Sequence, residues 1–73
     1  MATQIVMDRT GDSRHSFDPS DPTEVAKAER RFRELTSVGF TAAVRTGPDQ
    51  VSRIRSFDPT AEETVFFSRL VGG

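Results

Sequence analysis

The clearest pattern in the chain is a stripe of apolar residues that recur every three or four positions between 21 and 38. This spacing places them along one side of an α-helix. Asp21 suits the N-cap position and Pro22 suits the first helical position. Glu24, three residues after Asp21, suits the glutamate position of a capping box. Gly39 is suited to end the helix with a positive φ. The pattern therefore predicts a helix over 21–38. The stripe consists of Val25, Ala28, Phe32 and Leu35.

Alternation of apolar and polar residues predicts strands on both sides of the helix. Residues 1–17 are expected to form a hairpin that turns at Gly11. Residues 40–69 supply the remaining strands, of which the arginine-rich 51–57 suits a sheet edge and the apolar 64–69 the sheet centre. We therefore predict one α+β domain, residues 1–73, in which one helix packs on one face of a mixed sheet. The sheet is expected to hold Ile5, Phe40, Val44 and Val65.

The connection from 58 to 63 leaves the topology open. Asp58-Pro59 ends the preceding strand, and residues 60–63 fit one capped helical turn. The string Ser-Phe-Asp-Pro occurs at 16–19 and again at 56–59, and each copy is interpreted as a strand end followed by a turn. Because 58–63 is short for a crossing to the sheet centre, a plain ββαβββ meander remains an alternative.

Composition narrows the classes of partner. The 73 residues include ten basic and eleven acidic side chains, a net charge of −1, without a block of like charge. This balance predicts neither nucleic-acid nor membrane binding. The chain has no cysteine, which excludes disulfides and thiol nucleophiles. With no signal-like N-terminus and no long apolar run, a cytoplasmic protein is expected.

Candidate catalytic residues are few. His15 is the only histidine and has no companion at metal-site spacing, so it is interpreted as a structural residue. Arg30, Arg31 and Arg33 alternate with acidic residues and are interpreted as a solvated helix surface. The sequence lacks a phosphate loop and a nucleophile elbow. We therefore expect no enzyme, no metal site and no cofactor.

The tail, residues 70–73, has a different character. Leu70-Val71 is followed by Gly72-Gly73, whose backbone carries no side chains. Such a slim segment fits a narrow active site in which a Cβ would collide with the walls. A frayed terminus that ends in glycine is the alternative explanation.

The element order and this ending resemble the ubiquitin-like β-grasp family over nearly the whole chain. Leu70-Val71-Gly72-Gly73 is similar to the ending of the sulfur carriers of molybdopterin and thiamine synthesis, and Arg69 is similar to a basic tail residue of ubiquitin. The resemblance implies a β-grasp-like ββαββ(β) fold with the last strand beside the first. It also implies that a partner enzyme adenylates Gly73, so that the chain is a substrate.

We therefore expect a ubiquitin-like modifier or sulfur carrier activated at Gly72-Gly73. The alternative is a small protein–protein interaction or regulatory module whose Gly-Gly is incidental. Successive strand residues point to opposite faces, so either Phe66 or Phe67 should face away from the helix. The predicted partner surface is Phe66, Arg69 and Leu70.

Overall fold

A computed structural model describes residues 1–68, which form five strands and one helix. In chain order these are β1 (Ala2–Asp8), β2 (Gly11–Phe17), α1 (Pro22–Ser37), β3 (Phe40–Gly47), β4 (Gln50–Ile54) and β5 (Glu63–Ser68). The strands form one sheet in the order β2-β1-β5-β3-β4, in which β5 is parallel to β1 and antiparallel to β3. The predicted α+β class, with one helix on a mixed sheet, is confirmed. The last strand is central, so the meander alternative is wrong.

The helix begins and ends with local capping chemistry. The Asp21 side chain accepts a hydrogen bond from the Thr23 backbone N–H at 2.9 Å, and Pro22 is the first helical residue. After the helix, Gly39 has a φ of 109°, which favours glycine because it lacks a Cβ. The predicted capping box is wrong, because Glu24 accepts from the Asp18 backbone N–H instead. Within residues 1–68, no helix is both long enough and apolar enough to cross a bilayer.

The helix packs on one face of the sheet, which we call the covered face. Two apolar clusters fill the space between them. One joins Val6, Phe32, Ala42 and Phe66, and the other joins Ala2, Phe17 and Ala28. Of the predicted stripe, Ala28 and Phe32 are buried, whereas Val25 and Leu35 are half-buried at its margins. The covered face therefore holds the main core.

The opposite face carries no helix within residues 1–68, and we call it the open face. Alternation along the paired strands places on it the residues between those of the covered face. Its apolar members are Ile5, Met7, Ala43, Val51, Val65 and Phe67. Ile5 and Val65 were expected in the sheet beside Phe40 and Val44. They lie in it, but on the side away from the helix.

The predicted strand 51–57 is too long. Pairing with β3 ends at Ile54, and Phe57 instead enters the core between the rings of Phe17 and Phe32, with ring centroids 6.0 Å from each. The helical turn predicted over 60–63 is also wrong. Thr60 donates its backbone N–H and its hydroxyl to the Asp58 carboxylate, and Glu63 already belongs to β5. This turn carries the chain from the sheet edge to its centre.

The two Ser-Phe-Asp-Pro strings form the same turn, as the punctuation interpretation predicts. Asp18 accepts hydrogen bonds from the backbone N–H and the hydroxyl of Ser20, just as Asp58 does from Thr60. Asp8 repeats the arrangement with Thr10. These hydroxyl donors, together with the backbone N–H groups, hold the pKa of all three carboxyl groups below the usual value of 3.8.

Candidate functional site

The predicted activation tail begins where the central strand stops. Ser68, the last residue of β5, pairs with Phe40 at the start of β3. Gly72 and Gly73 lie outside the described residues, as do Arg69 and Leu70 of the predicted partner surface. In the chain, the tail therefore follows a strand that pairs with β1 on one side and with β3 on the other.

Phe66 was predicted to contribute to a partner surface, and this prediction is wrong. Its side chain is 0% exposed and packs edge-on against Phe32, with ring centroids 5.6 Å apart. The register explains this position. Phe66 pairs with Val6 on one side and Ala42 on the other, and both lie under the helix. Phe66 is a core residue.

Its neighbour Phe67 takes the exposed position. Phe67 is 38% exposed on the open face, which confirms that one of the two phenylalanines faces away from the helix. It pairs with Met7 of β1, which is 47% exposed. We call Ile5, Met7, Val65 and Phe67 the open-face patch. Met7 and Phe67 are its exposed members, whereas Val65 is half-buried and Ile5 is buried between its neighbours. Exposed apolar surface of this kind, unlike a single exposed residue, is typical of contact surfaces.

An ion pair borders the open-face patch. Arg45 of β3 and Glu63 of β5 approach to 3.3 Å, and their side chains are 56% and 33% exposed. Because both groups remain in contact with water, the pair adds little stability. It places one positive and one negative charge beside apolar side chains, which is the usual composition of a recognition surface with a polar rim.

The sequence interpretation missed a polar connection inside the core. Gln4 is 0% exposed on the covered face, where its side-chain amide donates to the Ala28 carbonyl of the helix at 3.0 Å. Its carbonyl oxygen accepts from the Arg31 guanidinium at 2.9 Å. The interpretation of Arg31 as solvated surface is therefore wrong. The available signal was a glutamine between Ala2 and Val6, the apolar residues on the same face of β1, since buried amides require partners.

The remaining candidate residues are the histidine and the acidic side chains of residues 1–68. His15 is half-buried on β2, where it pairs with Gln4 across the strands. No group of three or more histidine, aspartate or glutamate side chains among residues 1–68 is placed to hold a metal ion.

Comparisons with known proteins add no identification. No family model matches the chain, and no significant match is found among curated proteins or solved structures.

Proposed function

We propose that this chain is a ubiquitin-like modifier or sulfur carrier with a β-grasp-like fold, activated at Gly72-Gly73 by a partner enzyme. The observation that carries the proposal is the strand order β2-β1-β5-β3-β4, with β5 parallel to β1 at the sheet centre. This is the arrangement that the resemblance implies. The single helix on one face agrees with it as well.

The proposed chemistry takes place on the tail. The Gly73 carboxylate attacks the α-phosphorus of ATP in the partner enzyme, which releases pyrophosphate and forms an acyl-adenylate. A sulfur or amine nucleophile then displaces AMP. A segment without side chains can enter a narrow channel, whereas a β-branched residue at position 72 would obstruct it. The folded part of the chain serves as the surface to which the partner enzyme binds.

The first experiment measures the intact mass of the protein purified from its own cells. The mass should correspond to a chain ending at Gly73, with a fraction in which sulfur replaces one carboxylate oxygen or in which Gly73 carries an adduct. The second experiment measures ATP–pyrophosphate exchange with candidate adenylating enzymes encoded nearby. Gly72→Val and deletion of Gly73 should abolish exchange, whereas Lys27→Arg, a change on the exposed helix surface, should not.

Circular dichroism and the urea midpoint of each variant serve as the control for folding. Both tail variants should match the parent protein, since glycine has no side chain to contribute to a hydrophobic core. Full exchange activity in Gly72→Val, or a natural chain that continues beyond Gly73, would contradict the proposal.

The open-face patch favours a second candidate function, a small interaction module with an incidental Gly-Gly. Phe67 and Met7 would then form the binding surface without any covalent chemistry. The two candidates differ in one readout. Phe67→Glu should abolish partner binding if the open-face patch is the binding surface. Gly72→Val should abolish function only if the tail is activated.

A further inference from the structure

A groove separates the second half of α1 from the chain segment that leaves β4. It consists of two adjoining cavities of about 500 and about 300 Å³, which share Thr36 and Arg55 as lining residues. Apolar side chains form its inner surface, namely Phe32, Phe40, Ile54 and Phe57. We call this depression the β4–α1 groove. Its size suits a few side chains of a bound segment.

Positively charged side chains predominate at the groove. Arg33, Arg53 and Arg55 line it together with a single carboxylate, Glu29. Glu29 already pairs with Arg33 at 3.4 Å, whereas Arg53 and Arg55 form no ion pair with another residue of 1–68. A chain with a net charge of −1 therefore presents a positive groove. The complementary ligand is negatively charged.

The groove also adjoins a free sheet edge. β4 is the outer strand and pairs only with β3, so one side of its backbone has no strand partner within residues 1–68. An extended segment can add to such an edge through backbone hydrogen bonds, with alternate side chains entering neighbouring pockets. The arginines at this edge repel a basic strand and attract an acidic one, because the charges of the latter are complementary. The other edge, β2, has one aspartate and one arginine and no such bias.

We propose that the β4–α1 groove binds an extended, acidic segment of a partner protein, which adds to β4 as a sixth strand. Its apolar side chains occupy the groove over Ile54 and Phe57, and its carboxylates approach Arg53 and Arg55. This interaction is separate from activation of the tail. Gly72→Val, which blocks activation, leaves binding in the groove unchanged.

The test uses the full ¹⁵N-labelled chain and a capped octapeptide of alternating valine and glutamate. Amide resonances of residues 50–57 and 29–36 should shift with added peptide, and those of β2 should not. Arg53→Glu or Arg55→Glu should weaken binding roughly tenfold, because an attractive charge contact becomes repulsive. Arg14→Glu, the same charge reversal on the opposite edge, is the matched control and should bind as the parent does.

Two further peptides test the chemistry of the ligand. A valine–lysine octapeptide should not bind, and an N-methylated valine–glutamate peptide should lose binding because it cannot pair with β4. Equal binding of the lysine peptide, or no shift in the groove at millimolar peptide, would overturn the proposal. Groove resonances that move with protein concentration would instead show a second copy as the occupant. A shift caused by Leu70→Asp without peptide would show the chain's own terminus there, and either result overturns the proposal.

Discussion

The two faces of the sheet differ most clearly at two adjacent residues, Phe66 and Phe67. Phe66 is 0% exposed on the covered face and contacts Phe32 of the helix, whereas Phe67 is 38% exposed on the open face. Among residues 1–68 a single helix packs on the sheet, and it lies on the covered face. Identical side chains therefore have different roles, one in stability and the other at a surface.

The largest effect should come from truncating these two residues. Phe66→Ala should lower the free energy of unfolding by about 3–5 kcal/mol, because it removes a buried ring and leaves a cavity. Phe67→Ala should lower it by about 0.5 kcal/mol, as is typical for an exposed position. Urea denaturation monitored by circular dichroism measures both values.

Substitutions by leucine test the same contrast in case Phe66→Ala does not fold. A domain of this size has a total stability of roughly 4–11 kcal/mol, so the loss in Phe66→Ala equals a large fraction of it and, at the lower end of this range, the whole. Phe66→Leu and Phe67→Leu form a matched pair that should keep the same order of effect. If the two positions proved equally sensitive, the contrast between the faces would not hold.

Polar contacts should show the same contrast at a smaller scale. Gln4→Met on the covered face keeps much of the volume but removes two hydrogen bonds, and it should cost about 1–2 kcal/mol. Glu63→Gln on the open face breaks the pair with Arg45 and should cost about 0.5 kcal/mol. Unfolding in low and high salt separates them, since only the exposed ion pair should weaken with salt. A salt-dependent loss in Gln4→Met would contradict this assignment.

The smallest effect on stability is expected in the turns, which belong to neither face of the sheet. Because the Thr60 hydroxyl and backbone N–H lower the pKa of Asp58 in the folded state, their contribution is present above the unfolded value of 3.8. It is lost as the pH falls through the lower folded pKa. Thr60→Val should therefore reduce the loss of stability between neutral pH and pH values below 3.8. Thr60→Ser, which keeps the hydroxyl, should retain the parent's pH dependence in urea titrations.

Local sequence signals predict where each helix or strand lies better than they predict which side chains of a strand face the helix. The capping chemistry of Asp21 and Gly39 and the apolar stripe locate the helix, because these effects act within a few residues. Val65, Phe66 and Phe67 are all apolar, so alternation does not decide which of them faces the helix. A shift of one residue reverses every side chain in a strand. The pairing with Val6 and Ala42 decides it, and that pairing is a property of the whole fold.

The repeated Ser-Phe-Asp-Pro string shows the same limit. Both copies form the same hydrogen-bonded turn, yet one leads into a helix and the other into a strand. Asp21-Pro22 follows the first copy and supplies a helix start, which the second copy lacks. Of the candidate site, the sequence identifies the apolar residues of β5, whereas the buried link of Gln4 with Arg31 and the groove beside β4 arise from contacts between distant segments.

The central position of β5 has a consequence for biosynthesis. The β1–β2 and β3–β4 hairpins emerge from the ribosome before the strand that joins them, so neither can be incorporated into the complete sheet at that stage. Until residues 63–68 appear, Val6 and Ala42 lack their shared partner Phe66, and the nascent chain exposes two sheet edges that are later internal. Closing a sheet between its first and last strands is also a slow, non-local step. The nascent protein therefore depends on its final strand for protection from aggregation.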